Sequence, residues 1–262
     1  MSLKILVTND DGILAPGLKI AETIAWSLAG KKGRVITVAP ITEQSGVGHS
    51  ISYLRPNMLE QLDTNRYTVE GSPADCVLAG LYHIMKESPP DLIISGVNKG
   101  HNLAEDIVYS GTVGAAMEGS LQGVKSISLS QCYSKESLLM DEPFECSLQF
   151  GKEVCVKLWK EATWSSHNYS VFYNVNFPPI PSTNVKGISY GNQGKRNTKS
   201  SFSMDEIKSP NGRIFLWANH KPKNTSNDPD SDIEVINSNQ ISISPLKANL
   251  TAHDELNNLK IR

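Results

Sequence analysis

The chain lacks several features that would place it in a familiar class. Its four cysteines form no CxxC pair and no Cys/His spacing typical of zinc, so we interpret them as reduced, buried thiols. No apolar run approaches the roughly 20 residues that cross a bilayer. Nothing in the first residues resembles a secretory signal. We therefore expect a cytoplasmic protein without membrane contact.

An excess of charge of one sign is also missing. The chain has 25 Lys and Arg against 27 Asp and Glu, a formal net charge of −2. Nucleic-acid-binding proteins depend on a basic surface field, so we expect no nucleic-acid polymer as a partner. A length of 262 residues suits one large α/β domain, or a core domain with an elaborated tail.

Three common enzyme motifs are absent as well. A dinucleotide-binding fold needs GxGxxG after its first strand, where this chain has Asp-Asp-Gly. The glycine-containing residues 46–51 lack the third glycine and follow the wrong strand. There is no GxxxxGK[ST] loop and no GxSxG elbow. These absences exclude the dinucleotide-binding, P-loop and α/β-hydrolase classes.

The first half of the chain alternates apolar strand-like runs with helix-like periodicity. This alternation, with a turn-rich loop after each strand, predicts an α/β fold with a doubly wound, mostly parallel sheet. The predicted strands are 3–7, 35–38, 91–94 and 127–129, and the predicted helices are 16–28, 74–85 and 113–121.

The regular alternation ends near residue 132. We expect residues 1–132 to form the core that carries the active site, and residues 133–262 to complete the core and add a C-terminal extension. This part contains a predicted helix at 144–159, predicted strands at 171–176 and 241–244, and two polar stretches at 191–203 and 219–232 around the apolar residues 214–218. Such a tail buries little by itself, so we expect hairpins that pack on the core or on another subunit.

An acid pair follows the first predicted strand, in the sequence Asn9-Asp10-Asp11-Gly12. Ligands of open α/β sheets bind at the carboxyl ends of the strands. Asp10 and Asp11 repel each other there and need a cation to offset their charge. Carboxylate oxygens suit Mg²⁺, Mn²⁺ or Ca²⁺. The alternative is a simple turn that caps the next helix.

Three further turn-rich segments, 43–50, 95–102 and 109–112, follow later strands and can meet the acid pair at the same sheet edge. Ser45 and Asn98 can add neutral oxygen ligands to a cation held by the two aspartates. Ser110, Gly111 and Thr112 precede a small-residue helix and can cradle an anion with free N–H groups and hydroxyls. A helix cap without a ligand is the alternative.

Other polar residues of these segments have more than one interpretation. For His49 and His101 we favour loop side chains satisfied by the backbone over base catalysis. Lys99 either balances phosphate charge or is merely solvated. Ser72 or Asp75 either caps the helix that follows or touches a substrate.

With these residues in place, the chain closely resembles the stationary-phase survival protein SurE family of metal-dependent nucleotidases. The five specific matches are ILVTNDDG at 5–12, VAP…EQSGVGHSIS at 38–52, GSPADCV at 71–77, DLIISGVNKGHN at 91–102 and YSGTVGAAMEG at 109–119. NVNFP at 174–178 and SISPL at 242–246 are weaker matches. Residues 192–240 carry no sharp motif, so no contact of that region is transferred.

The resemblance implies a Rossmann-like core whose C-terminal extension is exchanged between the subunits of a dimer or dimer of dimers. It places the family's metal ligands on Asp10, Asp11, Ser45 and Asn98, with one Mg²⁺ or Mn²⁺ per subunit. The implied activity is hydrolysis of nucleoside 5′- and 3′-monophosphates. Some members of the family also act as exopolyphosphatases.

A metal-assisted hydrolysis follows from this assignment as a hypothesis. Asp10 or Asp11 takes the proton of the attacking water, so both are expected catalytic residues. The expected phosphate contacts are Asn98, Asn102, Ser110, Gly111 and Thr112, with Lys99 as a further candidate.

Two rival functions compete with this hypothesis. A covalent aspartyl-phosphate route needs Asp-x-Asp, whereas the chain has Asn9-x-Asp11. A nucleotide-binding sensor or scaffold without catalysis is the alternative function.

Overall fold

The computed structural model describes residues 2–140, 142–165, 168–196, 202–220 and 223–260. Eleven strands and seven α-helices lie within these ranges. The strands are β1 Lys4–Thr8, β2 Arg34–Pro40, β3 Leu59–Asp63, β4 Arg66–Val69, β5 Leu92–Lys99, β6 Lys125–Gln131, β7 Phe172–Phe177, β8 Ile188–Tyr190, β9 Phe202–Lys208, β10 Ile214–His220 and β11 Ile241–Leu246. The α-helices are α1 Pro16–Ala29, α2 Pro73–Ala79, α3 Asp106–Tyr109, α4 Gly111–Leu121, α5 Glu145–Glu161, α6 Asp232–Asn237 and α7 His253–Lys260.

The described strands form one large sheet and one separate hairpin. The large sheet has the order β3-β4-β2-β1-β5-β6-β7-β11-β8. Neighbouring strands from β4 to β7 run parallel, and so do β11 and β8. Two pairs are antiparallel, β3 with β4 and β11 with β7. This arrangement confirms the predicted α/β fold with a mostly parallel sheet.

Helices cover both faces of the sheet, as a doubly wound fold requires. Side chains alternate along β1, so Ile5 and Val7 pack in the cluster that includes residues of α1 and α5. Leu6 points the other way and packs in the cluster formed with α2 and α4. Since all three are fully buried, the acid pair emerges from a strand that is rigid on both faces. None of the described helices is both long and apolar enough to cross a bilayer.

Strand β5 is longer than the sequence predicts. The prediction of a strand at 91–94 followed by a loop is wrong at its end, because β5 continues to Lys99. The pairing with β6 shifts between Ser95 and Asn98, and Asn98 then pairs with Ser130. Gly96 makes this irregularity possible: its φ is +128°, and a Cβ there would lie 2.2 Å from the Leu129 carbonyl oxygen. Asn98 is therefore held by a strand rather than by a loop.

The helix predicted at 74–85 is also interrupted. Its α-helical part ends at Ala79, and a π-helical turn, Gly80–Ile84, follows. Gly80 packs directly on β1, since a Cβ at this position would come within 2.6 Å of Leu6 Cδ2. The helical spacing of apolar residues continues through this turn, so the sequence did not reveal the change from α- to π-helix.

The C-terminal part contains elements that were predicted only in outline. The apolar residues 214–218 lie in β10, which pairs with β9 in an antiparallel hairpin. Residues 197–201 and 221–222, parts of the two polar stretches, lie outside the described residues. The pair β3–β4, α6 and α7 were not predicted. β7, β8 and β11 join the large sheet, so residues after 132 extend the core as well as forming the hairpin.

A glycine in α1 sets the distance between this helix and the strand that carries Asn98. A Cβ on Gly17 would lie 1.9 Å from the Val97 carbonyl oxygen. We predict that Gly17→Ala displaces α1 from β5 and destabilises the fold by about 1–3 kcal/mol or more, because backbone atoms must move. Chemical denaturation measures this, with the exposed Lys19→Ala as the matched change in the same helix. Equal stability of the two variants would contradict the prediction.

Candidate active site

A cleft of about 640 Å³ opens at the carboxyl ends of the parallel strands. This is the edge at which open α/β sheets bind ligands. Five of the predicted site residues line it, namely Asp10, Ser45, Asn98, Asn102 and Ser110. The other three, Asp11, Gly111 and Thr112, lie next to these in the chain.

Asp10 is buried and is held by the start of α4. Its Oδ2 accepts a hydrogen bond from the Thr112 backbone N–H at 3.1 Å, and its Oδ1 accepts one from the Thr112 hydroxyl. Gly111 permits this approach, because a Cβ there would lie 2.9 Å from Asp10 Cβ. Burial raises the pKa of Asp10 to about 6 although the Thr112 hydrogen bonds oppose the change. Part of this rise comes from the negative charge of Asp11.

Asp11 is half-buried beside the cleft. Its Oδ2 accepts a hydrogen bond from the Lys99 backbone N–H at 3.1 Å. Burial raises the pKa of Asp11, and the charge of Glu43 acts in the same direction. Glu43 also accepts a hydrogen bond from the Ser45 hydroxyl at 2.7 Å. Sequence reasoning did not select Glu43, although its position two residues before Ser45 was the available signal.

The loop that carries Ser45 is anchored on two helices. His49 Nε2 contacts Glu118 Oε2 of α4 at 2.5 Å. This hydrogen bond holds the pKa of Glu118 below its usual range. Asp75 of α2 accepts hydrogen bonds from the Ser52 N–H at 3.0 Å and the Ser52 hydroxyl at 2.7 Å. Because His49 binds a carboxylate, the expectation that the backbone satisfies it was wrong.

The helix that supplies Asp75 begins with a capping box. The Ser72 hydroxyl accepts a hydrogen bond from the Asp75 N–H, and the Asp75 carboxylate accepts one from the Ser72 N–H. This confirms the prediction that Ser72 or Asp75 caps the helix, and both residues take part. The Asp75 carboxylate thus caps the helix and anchors the loop at the same time.

Asn102 is buried within a network of amide side chains. Its backbone N–H donates to Asn176 Oδ1 at 2.8 Å, and its carbonyl accepts from the side chains of Asn174 and Asn176 at 2.8 and 3.0 Å. Its own side chain donates to the Ser130 hydroxyl at 2.7 Å. The asparagines of the NVNFP match in β7 therefore anchor the loop after β5, a role that the sequence did not reveal.

Ser110 and Thr112 have defined partners in the structure. The Ser110 hydroxyl accepts the Val113 N–H at 3.1 Å, so Ser110 is the N-cap of α4. The hydroxyl and N–H of Thr112 both donate to Asp10. The phosphate contacts of Ser110, Gly111 and Thr112 stay a prediction.

Lys99 and His101 line the cleft as well. His101 Nε2 lies 3.3 Å from Asp106 Oδ2, so its partner is again a carboxylate and not the expected backbone group. The buried Arg196 donates two hydrogen bonds to Asp106, from Nη2 to Oδ2 at 2.6 Å and from Nη1 to Oδ1 at 3.1 Å. Although burial raises the pKa of Asp106, the His101 hydrogen bond and Arg196 outweigh it and lower this pKa. Neither Asp106 nor Arg196 was predicted as part of the site.

The β9–β10 hairpin, which is distant in sequence, also lines the cleft, as does Tyr109 beside Ser110. Tyr109, Phe202, Ala218 and His220 line it together with the predicted residues. The last three belong to the β9–β10 hairpin, whose sequence carries no motif that would have indicated this.

The donor set fits a hard divalent cation. Among the described residues no group of three His, Cys, Asp or Glu side chains is placed to hold a metal ion. A cation at the cleft would thus depend on the carboxylates of Asp10 and Asp11 together with the hydroxyl of Ser45 and the amide oxygen of Asn98. Asn9 Oδ1, next to the acid pair, is buried without a hydrogen-bond partner in the described part of the chain. An all-oxygen set with an unsatisfied polar atom beside it suits Mg²⁺, Mn²⁺ or Ca²⁺.

Comparisons with known proteins agree with one another. The family described as "Survival protein SurE" matches residues 5–200. The 5′-nucleotidase SurE of Jannaschia sp. (strain CCS1) is 50% identical over 259 residues, 98% of each chain. The 5′-nucleotidase SurE of Roseobacter denitrificans is 49% identical over 252 residues, 96% of each chain. The crystal structure of the Sure protein from Aquifex aeolicus superposes with a TM-score of 0.79 at 34% identity and covers 98% of both chains.

The burial of Asp10 predicts how pH changes the stability of the metal-free protein. Because its folded-state pKa is raised, protonated Asp10 is favoured by folding. With a chelator present, ionisation of Asp10 should therefore lower the free energy of unfolding as the pH rises from about 4 to about 6. The total loss should be up to about 3 kcal/mol. The difference in unfolding free energy between wild type and Asp10→Asn, followed against pH by denaturant titration, isolates this contribution.

Asp10→Asn should accordingly be the more stable protein above about pH 6 when metal is absent. Asp63→Asn, at an exposed position of β3, serves as the matched change. A difference between wild type and Asp10→Asn that does not vary with pH would show that Asp10 is not buried as an unpaired acid.

Proposed function

The chain belongs to the Survival protein SurE family, and we propose that it is a divalent-metal-dependent phosphatase that hydrolyses nucleoside 5′- and 3′-monophosphates to nucleoside and phosphate. The observation that carries this proposal is the meeting of Asp10, Ser45, Asn98 and the N-terminus of α4 in one cleft. The name 5′-nucleotidase SurE, borne by relatives that match nearly the whole chain, supports it. Exopolyphosphatase activity stays a prediction from the resemblance.

Asp10, Asp11, Ser45 and Asn98 are the proposed ligands of one Mg²⁺ or Mn²⁺ per subunit. When bound, the ion supplies positive charge against the phosphoryl group and lowers the pKa of a water molecule. The two Thr112 hydrogen bonds fix the orientation of the Asp10 carboxylate before any ion arrives. The Asn98 amide nitrogen donates to the Gly100 carbonyl at 3.1 Å, so its oxygen is the atom that Asn98 offers to a cation.

The cleft also contains groups that can bind the phosphate and a carboxylate that can accept the proton of the attacking water. The N-terminus of α4 offers the positive end of the helix dipole to phosphoryl oxygens. Its Thr112 and Val113 N–H groups already donate to Asp10 and Ser110. Asn102 and Lys99 also line the cleft, and Lys99 adds positive charge there. Asp11 is better suited than Asp10 as the base for the attacking water, because Lys99 engages only one of its oxygens while Thr112 engages both of Asp10.

A covalent aspartyl-phosphate is disfavoured by Asn9. The residue at the position of the nucleophile is an amide, and its Nδ2 is committed to the Gly12 carbonyl at 2.9 Å. Direct attack by water is therefore the proposed route. The alternative is a sensor or scaffold without catalysis. Metal-dependent release of phosphate from adenosine monophosphate would exclude it.

We further propose that the active form is a homodimer or a dimer of dimers, joined through the β9–β10 hairpin. Phe215, Trp217 and Ile207 on this hairpin are each more than half exposed. A two-stranded hairpin is marginally stable by itself, and an apolar surface of this kind marks an interaction site. The exchange of such an extension between subunits is what the family resemblance implies.

The proposed compartment is the cytoplasm. All four cysteines are free thiols buried in the structure, as expected for a protein of a reducing compartment.

Removing either carboxylate of the acid pair should abolish turnover. We predict that Asp10→Asn and Asp11→Asn each lower kcat for release of phosphate from adenosine monophosphate by about 10²–10⁴ with Mn²⁺ present. Wild type should lose activity with a chelator and regain it when Mn²⁺ is restored. Asp63→Asn should behave as wild type. Substantial activity in both acid-pair variants would contradict the assignment of these residues.

Charge on the exposed face of the hairpin should separate the subunits. We predict that Trp217→Glu shifts the molar mass measured by light scattering from dimer or tetramer towards monomer, because a carboxylate would be buried in an apolar contact. Tyr53→Glu, a change at another exposed aromatic residue, should leave the mass unchanged. A monomeric wild type, or an unaltered Trp217→Glu oligomer, would overturn the proposed role of the hairpin.

A further inference from the structure

The β9–β10 hairpin presents two different faces. Residues paired directly across an antiparallel ladder share a face, and so do residues two apart along a strand. Phe202 pairs with His220, and Met204 pairs with Ala218, so these four side chains lie on one face. Phe202, Ala218 and His220 all line the active-site cleft. This face is therefore turned towards the predicted phosphate and metal site.

The exposed residues assigned to the subunit contact lie on the opposite face. Phe215 pairs with Ile207, and Trp217 pairs with Asp205, one position out of phase with the cleft-lining pairs. A change at the cleft-lining face can thus be made without altering the residues proposed for dimerisation.

Tyr109, Phe202 and His220 form a continuous aromatic wall at the cleft. The rings of Phe202 and His220 are stacked, with centroids 4.3 Å apart and an angle of 22° between planes. Tyr109 meets Phe202 edge to face at 5.6 Å and His220 at 6.3 Å. Tyr109 and Phe202 each keep 45% of their surface exposed. The wall therefore offers aromatic surface to a molecule in the cleft.

The aromatic wall begins one residue from the predicted phosphate cradle. Tyr109 directly precedes Ser110, the N-cap of α4, and both line the same cleft as Asp10. A cleft of about 640 Å³ is large enough for a ligand of several rings. A ligand whose phosphate lies at Ser110 would extend its remaining part along the wall.

Buried charges hold the wall in place. His220 Nε2 lies 3.5 Å from Asp106 Oδ1, in the same helix α3 that contains Tyr109. The buried Arg196 contacts Asp106 and also donates to Asn224 Oδ1 at 3.2 Å. The hairpin base and α3 are thus joined through Asp106, which keeps the rings in register before a ligand binds. Such preorganisation favours affinity.

We propose that the aromatic wall is the subsite for the nucleobase of the substrate, which stacks on Phe202 and Tyr109. This inference rests on the proposed function and adds the residues that distinguish nucleotides from other phosphate monoesters. Stacking tolerates every base because each has a π face, so the wall favours nucleotides as a class over phosphate esters without a base. Selection among the bases is not its role.

The test compares two substrates that differ only in the base. Adenosine monophosphate and ribose 5-phosphate share the phosphate and the sugar, and phosphate release from each is measured with the 262-residue chain and Mn²⁺. Phe202→Ala should lower kcat/KM for adenosine monophosphate about tenfold, mainly by raising KM, since a base–aromatic stack contributes a few kcal/mol at most. The value for ribose 5-phosphate should stay within about twofold, because it has no base to stack.

Three further variants make the comparison specific. Phe202→Trp restores a stacking ring and should recover the preference for the nucleotide. Tyr190→Ala, at an exposed aromatic residue of β8, should leave both substrates unaffected. His220→Asn removes a ring at the other end of the wall and is measured in the same way, so the test does not depend on one variant folding. Light scattering verifies that each variant keeps the wild-type oligomeric state.

The outcomes separate this inference from the proposed function. Equal losses on both substrates, or no loss on either, would overturn the aromatic wall as a base subsite while the phosphatase assignment stands. If wild type releases phosphate from neither substrate, the proposed function fails and the inference fails with it.

Discussion

The site depends on one electrostatic constraint, the burial of a carboxylate at the end of a central strand. Asp10 emerges from β1, which is packed on both faces, and its two oxygens are fixed by Thr112 at the start of α4. Its neighbour Asp11 is fixed in turn by the Lys99 N–H. Two acids held this close raise one another's cost of ionisation, and a divalent cation is the partner that removes this cost.

The surrounding structure fixes the loops that lie beside the acid pair. Glu118 and Asp75 anchor the loop of Ser45 on two helices, while the asparagines of β7 anchor Asn102. Each anchor is a hydrogen bond to a buried or half-buried side chain rather than a surface contact. The donors are thereby positioned by the same packing that stabilises the sheet. This is the preorganisation that charge stabilisation in catalysis requires.

Strand periodicity was sufficient to predict the central strands of the sheet but not β3, β4 or β8 at its edges. Parallel topology was sufficient to predict that the strand-end segments meet. Asp10, Ser45, Asn98 and Ser110 share a cleft for that reason. The partner of His49 was out of reach, because Glu118 is 69 residues from His49 in sequence and local patterns carry no such information. The hairpin was equally hidden, since its contribution to the cleft depends on tertiary placement and not on a motif.

The acid pair is the proposed binding site of a divalent ion. Titration of Mn²⁺ into metal-free protein, followed by calorimetry near neutral pH, tests it without reference to turnover. We expect wild type to bind one ion per chain, and Asp10→Asn and Asp11→Asn each to lose at least about 100-fold in affinity, more than the loss typical of an outer-shell residue. Binding of equal stoichiometry and affinity in wild type and both variants would contradict the account.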